Sequence, residues 1–226
     1  MKLRGETKKS GATHLDNTYK QLLGIKQYAR GVDDKLIWPL NYRRKRSPAV
    51  GRAYGESNKP CLQRIIREVR GYLCSDIYWD IDIVNAHWYL ALNYTKKNSL
   101  QYKYINIYVA CRSQIYLSLE QTGVSKNATK TLFIALINGG TSTKGIKKEV
   151  LFGNGSMTIG ELIAGLANEV NDIYVHIQKT NPWLVSSTKV AFNKKTQTLA
   201  IFWQTLEFEI MSIIIGLCIE REIKYC

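Results

Sequence analysis

The chain is 226 residues long, enough for one large domain, or for a core with an appended basic arm, and enough to bury a sizeable core. Its 45% hydrophobic and 22% charged residues are ordinary for a globular protein, but 32 Lys and Arg stand against 18 Asp and Glu, a formal net charge of +14. Five scattered cysteines without C-x-x-C spacing argue against a disulfide framework or a zinc site, and MKLRGETKKSG at the N-terminus has no apolar stretch of signal-peptide length.

The positive surplus is uneven. Residues 1–70 hold 17 basic and 6 acidic side chains, against 15 and 12 in residues 71–226. Such a segment concentrates polyanions and releases counterions when phosphates bind, so nucleic acid is the leading partner and an anionic membrane surface the weaker one. Residues 1–58 read as a basic, polar arm whose densest part is YRRKRSPAVGRAYG at 42–55. There Arg43, Arg44, Lys45 and Arg46 lie between Tyr42 and Tyr54. The plain alternative is a solvated loop or a localisation signal. Aromatic rings among cations favour a nucleic-acid track, since rings stack on bases while cations hold phosphates.

Leu62, Ile65, Ile66, Val69 and Leu73 recur at helical spacing, which predicts an amphipathic helix with Arg64, Arg67 and Arg70 on its polar side. IYWDIDIVNAHWYL (77–90) follows, with a strand expected at about 77–84. Side chains alternate across a strand, so Asp80 and Asp82 share one face while Trp79, Ile81 and Ile83 share the other. Buried carboxylates need a partner, and the nearest basic residues, Arg70 and Lys96, lie outside the run. A divalent cation fits. An edge strand with both acids in water is the alternative. Asn85 is placed to cap a helix running to about Tyr94.

Further helices are predicted over 102–121 and 126–137, separated by Gly123 and the capping Ser125, with the second stopped by Asn138-Gly139-Gly140. Thr158 and Glu161 form a capping box opening a helix to about Lys179, closed by Asn181-Pro182, and a last helix is expected over 198–219. The fold class is α+β, mainly helical. GGTSTKG (139–145) lacks the residue order of a phosphate loop. The apolar run 211–219 is too short to span a bilayer and is bracketed by Glu207, Glu209 and Glu220, so a soluble, intracellular protein without a membrane partner is expected.

Two segments carry a resemblance. Asp82-Ile83-Val84-Asn85-Ala86-His87, and Lys126-Asn127-Ala128-Thr129-Lys130 followed by LFIALIN and Gly139, resemble motifs A and B of family A nucleic-acid polymerases of the divergent viral, virophage and transposon type. The resemblance implies a palm-and-fingers module over residues 59–226, with a small antiparallel sheet, the palm strand at about 77–84 and fingers at about 100–180. It implies that Asp82 binds Mg²⁺ or Mn²⁺ with Asp80 as a second ligand, that His87 lies under the nucleotide sugar, and that Lys126 and Lys130 hold the triphosphate, Lys130 also acting catalytically. Asn138 and Gly139 would then lie near the base. Gln204, with Glu207 in IFWQTLEFEI, resembles the helix before motif C and would touch the primer–template, while Gly51-Arg52-Ala53-Tyr54 would contact template.

The implied activity is template-directed DNA polymerisation from nucleoside triphosphates, in a host cytoplasm or nucleus or a virion. No His-Asp motif C follows the last helix, the position of Asn138 lacks the expected aromatic, and Trp88 stands where viral relatives carry Pro. A second polypeptide supplying motif C is therefore expected. The alternative is a non-catalytic nucleic-acid-binding protein of replication or packaging.

Overall fold

In the computed structural model the described residues are 8–28, 30–32, 35–37, 42–44, 53–55, 59–74, 83–140, 148–152, 155, 157–186 and 194–221, with the backbone alone described at 8–14, 28, 30–32, 35–37, 42–44, 53–54 and 186. The protein is mainly helical, with short antiparallel strand pairs, and it divides into two compact units: Met1–Asp82 with Met211–Cys226, and Ile83–Ile210.

The first unit contains α1 (Lys8–Tyr28), strands β1 (Arg30–Val32), β2 (Lys35–Ile37), β3 (Tyr42–Arg44) and β4 (Ala53–Gly55), a 3₁₀ turn at Leu62–Arg64, and α2 (Arg67–Cys74). Strand β1 pairs with β2, and β3 with β4. Helix α1 is absent from the sequence reading because its apolar spacing is weak and Leu15 and Tyr19 are exposed. Its polar side chains tie it down instead. Thr18 Oγ1 accepts the Ile66 N–H at 3.3 Å, Gln21 Oε1 accepts the Cys61 N–H at 3.1 Å, and a Cβ at Gly24 would lie 3.1 Å from Pro60. The helix expected over 62–73 is broken in the same place. Ile65 is extended (φ −83°, ψ 139°) and buried, which leaves the Ile66 N–H free for Thr18. Arg64, expected on a solvent-facing basic side, donates to the carbonyls of Lys59 and Gly55 at 3.0 and 3.2 Å.

The second unit is built from α3 (Ala86–Lys97), α4 (Lys103–Gln121), α5 (Lys126–Ile137), the pair β5 (Leu151–Phe152) and β6 (Met157–Thr158), α6 (Ile159–Thr180), α7 (Pro182–Ser186) and the first part of α8 (Lys194–Glu220). Helix α6 is the centre of its core. Ile159, Leu162, Leu166, Val170, Ile173 and Ile177 are wholly buried at three- and four-residue spacing, and α4, α5 and α7 pack around it. The capping box is present, with Thr158 Oγ1 accepting from Glu161 N–H and the Glu161 carboxylate accepting from Thr158 N–H. Trp88 is 3% exposed, its ring 4.6 Å from Tyr108 and 6.5 Å from Phe133, so the residue that departs from the polymerase pattern is a core anchor of α3.

Of the expected strand, residues 77–82 lie outside the described residues, and Ile83 and Val84 are irregular and turn. Asn85 does stand at the start of α3, but in left-handed geometry (φ 57°, ψ 32°) with no side-chain cap; its carbonyl accepts from Trp88 and Tyr89 N–H. The run 211–219 is the distal end of the 27-residue α8, which is long and apolar enough to cross a membrane by length and composition. Within α8, Leu199 and Trp203 are wholly buried, whereas Ile210, Ile213, Leu217 and Ile219 are exposed.

Candidate nucleotide and nucleic-acid site

Helix α5 carries the predicted triphosphate ligands. Ser125 caps it, accepting the Ala128 N–H at 3.2 Å, and its first turn contains no acidic residue. Lys126 and Lys130, one turn apart, are both exposed. A helix N-terminus bearing free N–H groups and cations in place of a carboxylate suits a bound anion.

The other end of α5 is closed by backbone geometry. Gly139 takes φ +78°, its N–H donates to Leu136 O and that of Gly140 to Ala135 O, both at 2.8 Å, which is a Schellman stop. Asn138, expected near a base, occupies the C-cap, where its Nδ2 donates to Ile134 O at 2.9 Å. Its Oδ1 is buried and has no hydrogen-bond partner among the described residues. Asn138 lies twelve residues from Lys126, about 18 Å along the axis, so the two cannot contact one phosphate.

Three predicted segments meet along α8. A Cβ on Gly139 would lie 2.8 Å from the Lys195 side chain and 3.1 Å from that of Leu199. One turn on, the Trp203 indole N–H donates to Ile137 O at 3.0 Å. At the next turn Glu207 Oε2 stands 3.6 Å from His87 Nε2, with the two side chains 17% and 21% exposed. Gln204 is half-buried on the same helix. Lys195, which carries no sequence motif, links three elements: its stem lies against Gly139 and its ammonium donates to Asn171 Oδ1 at 2.9 Å. Burial lowers its pKa. Glu207 lies on the last helix expected from sequence, but its reach to His87 spans 120 positions and has no local signal.

In the first unit Arg43, Arg44 and Tyr54 lie on the β3–β4 ladder, where Arg43 pairs with Tyr54 in backbone register. Lys45, Arg46, Arg52, Asp80 and Asp82 lie outside the described residues, as do residues 141–145 of GGTSTKG. Among the described residues no group of three His, Cys, Asp or Glu is placed to hold a metal ion.

One buried acid went unread in the sequence. Glu169 on α6 is 5% exposed, and its carboxylate accepts from Tyr104 and Ile105 N–H at 2.9 and 2.8 Å, satisfying the start of α4. Loss of solvent raises its pKa, partly opposed by these backbone donors. Comparison with protein-family models, curated proteins and solved structures finds no match.

Proposed function

We propose that the chain is a palm-and-fingers-like module of a template-directed DNA polymerase, binding nucleoside triphosphate on α5 and nucleic acid through its basic first third. The observation that carries this reading is α5 itself: two exposed lysines a turn apart at an N-terminus without acid, on a helix stopped by Gly139, as the motif B resemblance implies. Support also comes from the closeness of His87 to Glu207, two residues that the resemblance assigns to separate parts of a palm. Asp82, with Asp80 two positions before it, is a hard oxygen donor set of the kind Mg²⁺ or Mn²⁺ takes. A bound divalent ion would neutralise phosphate charge. Lys126 and Lys130 would hold the phosphates electrostatically, and His87, 3.6 Å from Glu207, would sense the sugar.

Titration of a fluorescent deoxynucleoside triphosphate in Mn²⁺ tests the reading. Lys126→Ala and Lys130→Ala should each weaken binding about ten-fold, the cost of one charge-assisted contact. Asp82→Asn should remove the metal dependence, and His87→Ala should alter the preference between ribo- and deoxyribonucleotides. No nucleotide binding, with DNA binding kept, would establish the non-catalytic nucleic-acid-binding role instead. Primer extension is expected to require a second carboxylate source; extension by this chain alone, abolished by Asp82→Asn, would place that carboxylate within it.

A further inference from the structure

The turn between α3 and α4 combines charge, an exposed ring and a fixed backbone. Lys96 and Lys97 end α3, Tyr102 precedes α4 and Lys103 opens it; all are exposed, Tyr102 at 38%. Lys96 Nζ lies 5.7 Å from the Tyr102 ring centre, so cation and ring form one surface. No ion pair engages Lys96, Lys97 or Lys103 among the described residues. The backbone is held at both ends. Leu100 N–H donates to Thr95 O at 2.9 Å and Ser99 N–H to Lys96 O at 3.4 Å, while Glu169 grips the N–H groups of Tyr104 and Ile105.

Two of these features run against local preference. Ser99 sits at φ 54°, a conformation that favours glycine, and Lys103 places a cation at a helix N-terminus, where an anion is preferred. Lys96 and Lys97, by contrast, suit the negative end of α3, so the excess lies in Lys103 and Tyr102. The nearby acids compete little. Glu161 is engaged in its capping box and Glu169 is buried, which leaves Asp172 as the remaining carboxylate lining the open depression beside Lys103.

From this arrangement we infer that the α3–α4 corner is a contact site for single-stranded nucleic acid, with Tyr102 stacking on a base and Lys96, Lys97 and Lys103 holding successive phosphates. It extends the nucleic-acid reading above, on which it rests, to a surface of the second unit that shares no residue with the basic arm. Cation and ring together fit a strand with unpaired bases; an anionic lipid surface would use the cations without needing a stacked ring.

The test is binding of the full chain to a fluorescent oligothymidylate across a salt series, beside anionic vesicles of phosphatidylserine and phosphatidylcholine. Tyr102→Ala should weaken oligonucleotide binding roughly ten-fold without altering the salt slope. Lys96→Gln, Lys97→Gln and Lys103→Gln combined should lower the slope by about 2, the share of three phosphates on a single strand. Circular dichroism and thermal melting check that these exposed substitutions leave the fold intact. Wild-type binding that neither variant changes would overturn the corner site and spare the nucleic-acid reading, whereas a wild type that binds no DNA would overturn both. Vesicle binding reduced by the lysine variant, with oligonucleotide binding unmoved, would reassign the corner to a membrane surface.

Discussion

Gly139 and Glu169 show how single residues fix this architecture. Gly139 needs its missing side chain twice, for φ +78° and for the close approach of Lys195 and Leu199. Gly139→Ala should therefore destabilise the fold by about 1–2 kcal/mol, read as a lower melting temperature. Glu169→Ala should cost about 1–3 kcal/mol, because two buried N–H groups at the start of α4 lose their acceptor. The pH dependence has a definite sign. Burial raises the Glu169 pKa above its ordinary 4.5, so between that value and the raised one the folded protein binds more protons than the unfolded chain. The contribution of Glu169 to stability accordingly falls as pH rises through this window. Comparing urea unfolding of the wild type and Glu169→Gln across acidic pH measures it, and identical pH slopes would refute the assignment.

At the scale of elements, the packing of α4 on α6 depends on a gap in a side-chain surface. A Cβ at Gly165 would overlap the ring of Tyr104, so the helices approach only because this position is bare. Gly165→Ala should destabilise by about 1–3 kcal/mol or force α4 outward. Tyr104→Ala should relieve most of that penalty, giving a coupling between the two substitutions in a double-mutant cycle. Additive effects would mean that the ring is not what the new methyl meets. The boundaries of α5 and α6 were legible because their signals are local: Ser125, Gly139 and the Thr158/Glu161 box act over four residues or fewer. Helix α1 and the break at Ile65 were not, since Thr18 and Gln21 reach backbone donors 48 and 40 positions away.

For the whole molecule, the uneven charge predicts binding that is steep in salt and tolerant of sequence. Arg43→Ala with Arg44→Ala should flatten the salt dependence of duplex DNA binding by roughly 2, with little change in sequence preference. An unchanged slope would return these arginines to the role of a solvated hairpin. The measurement differs from that at the α3–α4 corner in its substrate and its residues, so the two surfaces can fail separately.

The sequence alone determined the helical class, the ends of α5 and α6 and the concentration of charge in the first third, because propensity, capping and net charge are local or summed properties. Tertiary structure decided the rest. It made Trp88 a core anchor, and brought Glu207 to His87 and Trp203 to the end of α5. Each of these depends on contacts between residues far apart in the chain, where burial and the need to satisfy polar groups, not spacing, choose the partner.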